Sequence, residues 1–191
     1  MKTETVRMQC NEVSLFAEVF IPDVFPAAAL LICHGMDSRG YHYLRIYRQL
    51  AEEACKDGFV VLVFDFRGVG ESSGQFDYGI NEQQDAECAL DYLASRSEVM
   101  PDRIFVVGHS LGGAVSLYAL RDKECVRGLV LWSVPKNHTY NVRKFVRRTH
   151  GRFGLLKFVL LSTVDRFFDV SHLFKLDVYG LDLELRSIRK K

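Results

Sequence analysis

Ser110 is the residue of this chain best placed to do chemistry, because it stands in Gly108-His109-Ser110-Leu111-Gly112-Gly113. Small residues two positions to either side suit a turn too tight for larger side chains. The apolar, β-branched run at residues 104–107 precedes it and reads as a buried strand, while residues 114–120 follow and read as a helix. Between a strand and a helix, G-x-S-x-G describes a nucleophile elbow that lifts the hydroxyl above the strand ends. The chemistry of such a serine is attack on an acyl carbonyl, with the developing oxyanion held by backbone N–H groups at a helix N-terminus. The plainer reading of the same residues is a glycine-rich turn whose serine caps a helix.

Two more apolar runs end in turn-rich polar segments. Residues 26–33 lead into His34-Gly35-Met36-Asp37-Ser38, and residues 59–64 lead into Asp65-Phe66-Arg67-Gly68-Val69-Gly70-Glu71-Ser72. HGMDSRG, DFRGVGESSG and GHSLGG, in this order and spacing, resemble the α/β-hydrolase superfamily, in particular its esterase, lipase and serine-aminopeptidase-like members. The resemblance covers about residues 10–135. It implies that Ser110 is the nucleophile and that the backbone amides of Met36 and Leu111 form the oxyanion hole, with the Met36 side chain lining the acyl pocket. It implies no metal and no organic cofactor. His34 and His109 read as loop-orienting residues, and Asp65, Arg67 and Glu71 as a turn held by charge-assisted hydrogen bonds. Asp65 precedes the serine, whereas the family order is serine, then acid, then histidine. After Trp132 the family pattern passes through a cap and returns to two more strands, which are not legible here. Only Asp165 or Asp169 followed by His172 keeps the family order, so these are the acid and base candidates, and the chain reads as a C-terminally shortened hydrolase.

Strands and helices alternate around these motifs. Residues 13–21 read as an antiparallel strand ending at Pro22-Asp23. Leu44, Tyr47, Leu50, Ala51 and Ala54 recur at helical spacing, with Gly58 in the position of a C-terminal glycine. Asn81 and Gln84 resemble a capping box opening a helix that buries Ala86, Ala89, Leu90 and Leu93. Met100-Pro101-Asp102-Arg103 reads as a turn, and residues 127–132 as the next strand. The pattern predicts an α/β fold: a mainly parallel central sheet with helices on both faces and its last strands missing. The site belongs at the carboxyl ends of the strands. Residues 1–135 form the expected hydrolase core and 136–191 a cap-like helical segment and tail, together a single domain.

Composition fits a globular protein and excludes several classes of function. The chain has 191 residues, 48% hydrophobic and 26% charged, with a net charge of +1. That balance gives no global attraction to nucleic acid. The five cysteines are scattered and odd in number, which reads as reduced thiols and, with no signal peptide legible at the N-terminus, as a cytoplasmic protein. Residues 136–161 contain seven basic side chains, Lys136, Arg143, Lys144, Arg147, Arg148, Arg152 and Lys157, and no acidic one. This stretch reads as a lid favouring an anionic substrate, as a surface for membrane contact, or as a solvated basic face. With residues 128–132 as the last strand, the sheet edge is expected to self-associate or to be covered by the basic segment. The sequence therefore predicts hydrolysis of a small-molecule carboxylic ester or related acyl substrate. The alternative is a catalytically incomplete hydrolase-fold protein with a binding role or none of its own.

Overall fold

A computed structural model describes residues 1–36, 40–41 and 45–134. Within them the chain runs through β1 (Lys2–Cys10), β2 (Val13–Ile21), β3 (Ala27–Cys33), α1 (Arg45–Lys56), β4 (Val60–Phe64), α2 (Glu82–Ala94), β5 (Val99–His109), α3 (Leu111–Leu120) and β6 (Val126–Trp132). One six-stranded sheet results, in the order β1-β2-β4-β3-β5-β6. β4, β3, β5 and β6 pair in parallel, whereas β1–β2 and β2–β4 are antiparallel.

The central strands are continuous apolar runs because both of their faces are covered. Alternate side chains divide between two cores. On one face Leu31, Leu62, Phe64 and Val106 pack with Ala86, Leu90 and Leu93 of α2 and Val115 of α3. On the other, Ile32, Val61 and Val63 pack with Tyr47, Ala51 and Cys55 of α1. Helices therefore lie on both faces, as expected. α1 is also held to β2 by charge: Arg48 pairs with the buried Glu18 at 3.0 Å, and the Tyr41 hydroxyl donates to the same carboxylate at 2.8 Å.

Local details differ from the sequence reading in three places. β1 has no counterpart in that reading. Its alternation is confined to Val6, Met8 and Cys10, and the rest of the strand is polar and exposed, as suits a sheet edge. Met100-Pro101-Asp102-Arg103 is not a turn between elements but lies within β5. Pairing to β3 jumps from Ala27–Val99 to Ala29–Ile104, so the extra residues bulge out while the strand continues. The capping box does not form: Asn81 is helical and makes no side-chain cap bond. Instead the Asp77 carboxylate accepts the Ile80 and Asn81 N–H groups at 3.0 and 2.9 Å. The segment 136–191, with the basic stretch and the candidates Asp165, Asp169 and His172, lies outside the described residues.

Candidate active site

Parallel register sets the site. Cys33 lies opposite Gly108, so the residues that follow, His34-Gly35-Met36 and His109-Ser110, emerge side by side at one end of the sheet. β5 passes into α3 with Ser110 alone between them, at φ 51 and ψ −115. For a non-glycine residue this is a strained backbone, of order 1–3 kcal/mol, which the surroundings must enforce. The Ser110 N–H donates to the Trp132 carbonyl of β6 at 2.9 Å, and the Ser110 carbonyl accepts the Ala114 N–H at 3.2 Å. Close approach explains the glycines. A Cβ on Gly108 would lie 2.5 Å from the Gly113 Cα, and one on Gly112 would lie 2.3 Å from the carbonyl oxygens of Cys33 and His34.

The loop after β3 touches the elbow directly. A Cβ on Gly35 would stand 3.2 Å from the Ser110 Cβ and 2.8 Å from the His109 Nδ1. The buried His34 has both ring nitrogens engaged. Its Nε2 accepts the Phe66 N–H at 3.1 Å, so its Nδ1–H donates to the Gly35 carbonyl at 2.6 Å. A side chain bonded in this way orients a loop and is not available as a general base. The Gly35 N–H donates to the Tyr47 hydroxyl at 2.8 Å, and that hydroxyl is hydrogen-bonded to the His109 Nδ1 at 2.6 Å. Burial holds His109 below the ordinary imidazole range, which favours the neutral ring. Its other neighbour is the Trp132 ring, with centroids 4.5 Å apart.

Among the described residues, no hydrogen bond uses the N–H of Met36 or of Leu111. Leu111 opens α3, where unsatisfied N–H groups and the helix dipole favour negative charge. Leu111 directly follows the strained Ser110, and Met36 directly follows Gly35, whose backbone lies against that serine.

Asp65, directly after β4, organises loops. Its buried carboxylate accepts the Tyr41 N–H at 2.7 Å and the Glu71 N–H at 3.0 Å. Gly40 and Gly70 lie so close that a Cβ on either would overlap that carboxylate, at 2.0 and 2.1 Å. Arg67 does more than hold a turn. It forms a buried ion pair with Asp85 of α2 at 2.7 Å, and its backbone N–H donates to the same carboxylate at 2.9 Å. Glu71 reaches Arg7 of β1 at 3.2 Å.

Of the candidates read from sequence, Ser110 and Leu111 are consecutive at the start of α3, and Met36 follows Gly35, which lies against Ser110; Asp165, Asp169 and His172 lie outside the described residues. Tyr47 is, by its spacing, only a core position of a helix. Nothing in that spacing indicates that its hydroxyl meets two strand-end loops. Among the described residues no three His, Cys, Asp or Glu side chains gather as metal ligands, and no helix is long and apolar enough to cross a membrane.

Residues 25–160 match the family described as serine aminopeptidase, S33. The chain is 32% identical over 87 residues to the uncharacterized protein RP471 of Rickettsia prowazekii, covering 44% of this chain and 36% of that one. It is 28% identical over 122 residues to protein phosphatase methylesterase 1 of Candida albicans, covering 62% and 32%. It therefore spans about a third of the length of these relatives. Among solved structures, the Pyrococcus furiosus esterase Pf2001 superposes with a TM-score of 0.64 at 23% identity, over 75% of this chain and 57% of that one.

Proposed function

This chain belongs to the serine aminopeptidase S33 family of α/β-hydrolases, and from that premise we propose that it cleaves a small-molecule carboxylic ester or related acyl compound through Ser110. The observation that carries the reading is the strained Ser110 between β5 and α3, with the loop that carries Met36 lying against it at Gly35. The Ser110 Oγ attacks the acyl carbon, and its proton passes to a general base. The carbonyl oxygen, now an oxyanion, is held by the Met36 and Leu111 N–H groups. Collapse expels the alcohol and leaves an acyl-serine, which water then hydrolyses. Chain order makes Asp165 or Asp169 the candidate acid and His172 the candidate base. This chemistry calls for no metal or organic cofactor. A relative named as a methylesterase favours an ester over an amide. The rival expectation of an inert hydrolase-fold module draws no support from these relatives.

A fluorophosphonate probe tests the assignment. The adduct is expected on Ser110, and Ser110→Ala is expected to abolish it. Competing serines are chemically occupied: Ser72 donates to the Asp65 carbonyl at 2.6 Å, and the buried Ser116 donates to the Gly112 carbonyl at 2.6 Å. An adduct on Ser72, Ser116 or Ser133, persisting in Ser110→Ala, would overturn the reading.

A further inference from the structure

Tyr47 lies on α1, outside the strand–turn–helix unit that carries Ser110, yet its hydroxyl joins the two loops that meet there. We propose that Tyr47 is a positioning residue for the chemistry at Ser110, selecting the amide that the loop after β3 presents and fixing the His109 ring. The proposal rests on the reading of Ser110 as nucleophile.

The argument begins with two consecutive amides. Gly35 and Met36 both follow the end of β3, and either N–H could in principle serve an oxyanion beside Ser110. An N–H already donating to a hydroxyl at 2.8 Å does not also serve an oxyanion, so Tyr47 takes the Gly35 amide out of contention and leaves that of Met36. Gly35 is buried, so without this acceptor its N–H would be left unsatisfied and its peptide would turn to find another. Such a rotation moves Met36, the next residue. A displacement of about 1 Å at a reacting centre can cost ~10²-fold in rate.

The second arm of the hydroxyl acts on the elbow. It lies 2.6 Å from the His109 Nδ1, and in this proposal it is the donor, with the proton of the neutral ring on Nε2. His109 adjoins Ser110 in the chain and packs at a tilt against the ring of Trp132, whose carbonyl holds the Ser110 N–H. One oxygen thus fixes the loop that supplies one donor and the residue beside the nucleophile. The Tyr47 ring itself is core, 1% exposed, and phenylalanine would fill the same space. The hydroxyl can therefore be tested apart from the packing.

The test compares the wild-type chain with Tyr47→Phe and Tyr41→Phe by the kinetics of fluorophosphonate labelling. Tyr41 is a matched control, a buried tyrosine whose hydroxyl donates to Glu18 and not to the elbow. Tyr47→Phe is expected to lower the maximal labelling rate about tenfold or more, with the half-saturating probe concentration unchanged. Tyr41→Phe is expected to leave both unchanged. The ¹⁵N resonances of His109 should report the Nε2–H tautomer in the wild type and a mixture of tautomers in Tyr47→Phe. Circular dichroism checks that each variant is folded. Equal labelling rates for the wild type and Tyr47→Phe, equal losses in the two variants, or an unchanged His109 tautomer would overturn the proposal alone. A wild-type chain unlabelled at Ser110 would overturn the nucleophile reading, and this proposal with it.

Discussion

Glu82 is a single carboxyl that makes the stability of the fold depend on pH. It is fully buried at the start of α2 and accepts the N–H groups of Asp77 and Gly79 at 2.9 and 2.6 Å. Burial, and then the hydrogen bond to the neighbouring Asp77 carboxyl, push it up to about 9. Its folded value therefore lies above its unfolded one, and the protonated form stabilises the fold. That contribution is complete below about pH 4.5 and is lost as pH rises towards about 9. Glutamine keeps one acceptor oxygen and has no proton to lose, while its amide nitrogen cannot accept the second N–H, a loss that does not vary with pH. The difference in denaturation midpoint between Glu82→Gln and the wild type is expected to widen in favour of the variant from pH 5 to pH 9. Curves that run parallel across this window would refute the assignment. From the sequence, Glu82 is an ordinary acid in the first turn of a helix, the favourable end of the dipole and commonly solvent-exposed. Its burial is created by tertiary packing, which no local pattern encodes. The same limit hides the hydroxyl of Tyr47. Ser110 and its glycines are legible because a tight turn constrains residue size directly.

Between elements, the ion pair of Arg67 and Asp85 fastens the segment after β4 to α2. Arg67 donates through Nε and through Nη2, at 3.0 and 2.7 Å, and both groups are buried. Burial pushes the Asp85 carboxyl up while Arg67 pulls it down. Breaking such a pair leaves a buried charge without its partner, at a cost of about 3–5 kcal/mol. Asp85→Asn is expected to destabilise the chain by about that amount, read from the urea midpoint. Adding Arg67→Met removes the stranded charge, while the amide oxygen introduced at position 85 still accepts the backbone N–H of residue 67. The double variant is expected to be more stable than Asp85→Asn alone, and an equal or greater loss would show that the charge is not what matters. The central strands are legible because their apolar, β-branched runs are unbroken: Val60-Val61-Leu62-Val63-Phe64 is buried at every position. β1 is not, because an edge strand needs apolar side chains on one face only and in part of its length. Asp77 escapes notice as the cap of α2 because it stands four residues before the position that spacing favours.

On the scale of the whole molecule, the sheet has a consequence at its far edge. Among the described residues β6 pairs with β5 alone, and Val130 within it is 57% exposed. An apolar strand edge of this kind is a template for further pairing. Light scattering is expected to show an apparent mass that rises with concentration, and Val130→Lys is expected to reduce the rise. A wild-type chain that stays monomeric at every concentration would show that the edge is already covered. The hydrogen bond from the Ser110 N–H to the Trp132 carbonyl also orders events in time. Synthesis proceeds from the N-terminus, so Ser110 leaves the ribosome before Trp132 does. Until then the growing polypeptide lacks one of the bonds that hold the serine in its costly backbone conformation. The turn around Ser110 is thus completed only after β6 has emerged and docked.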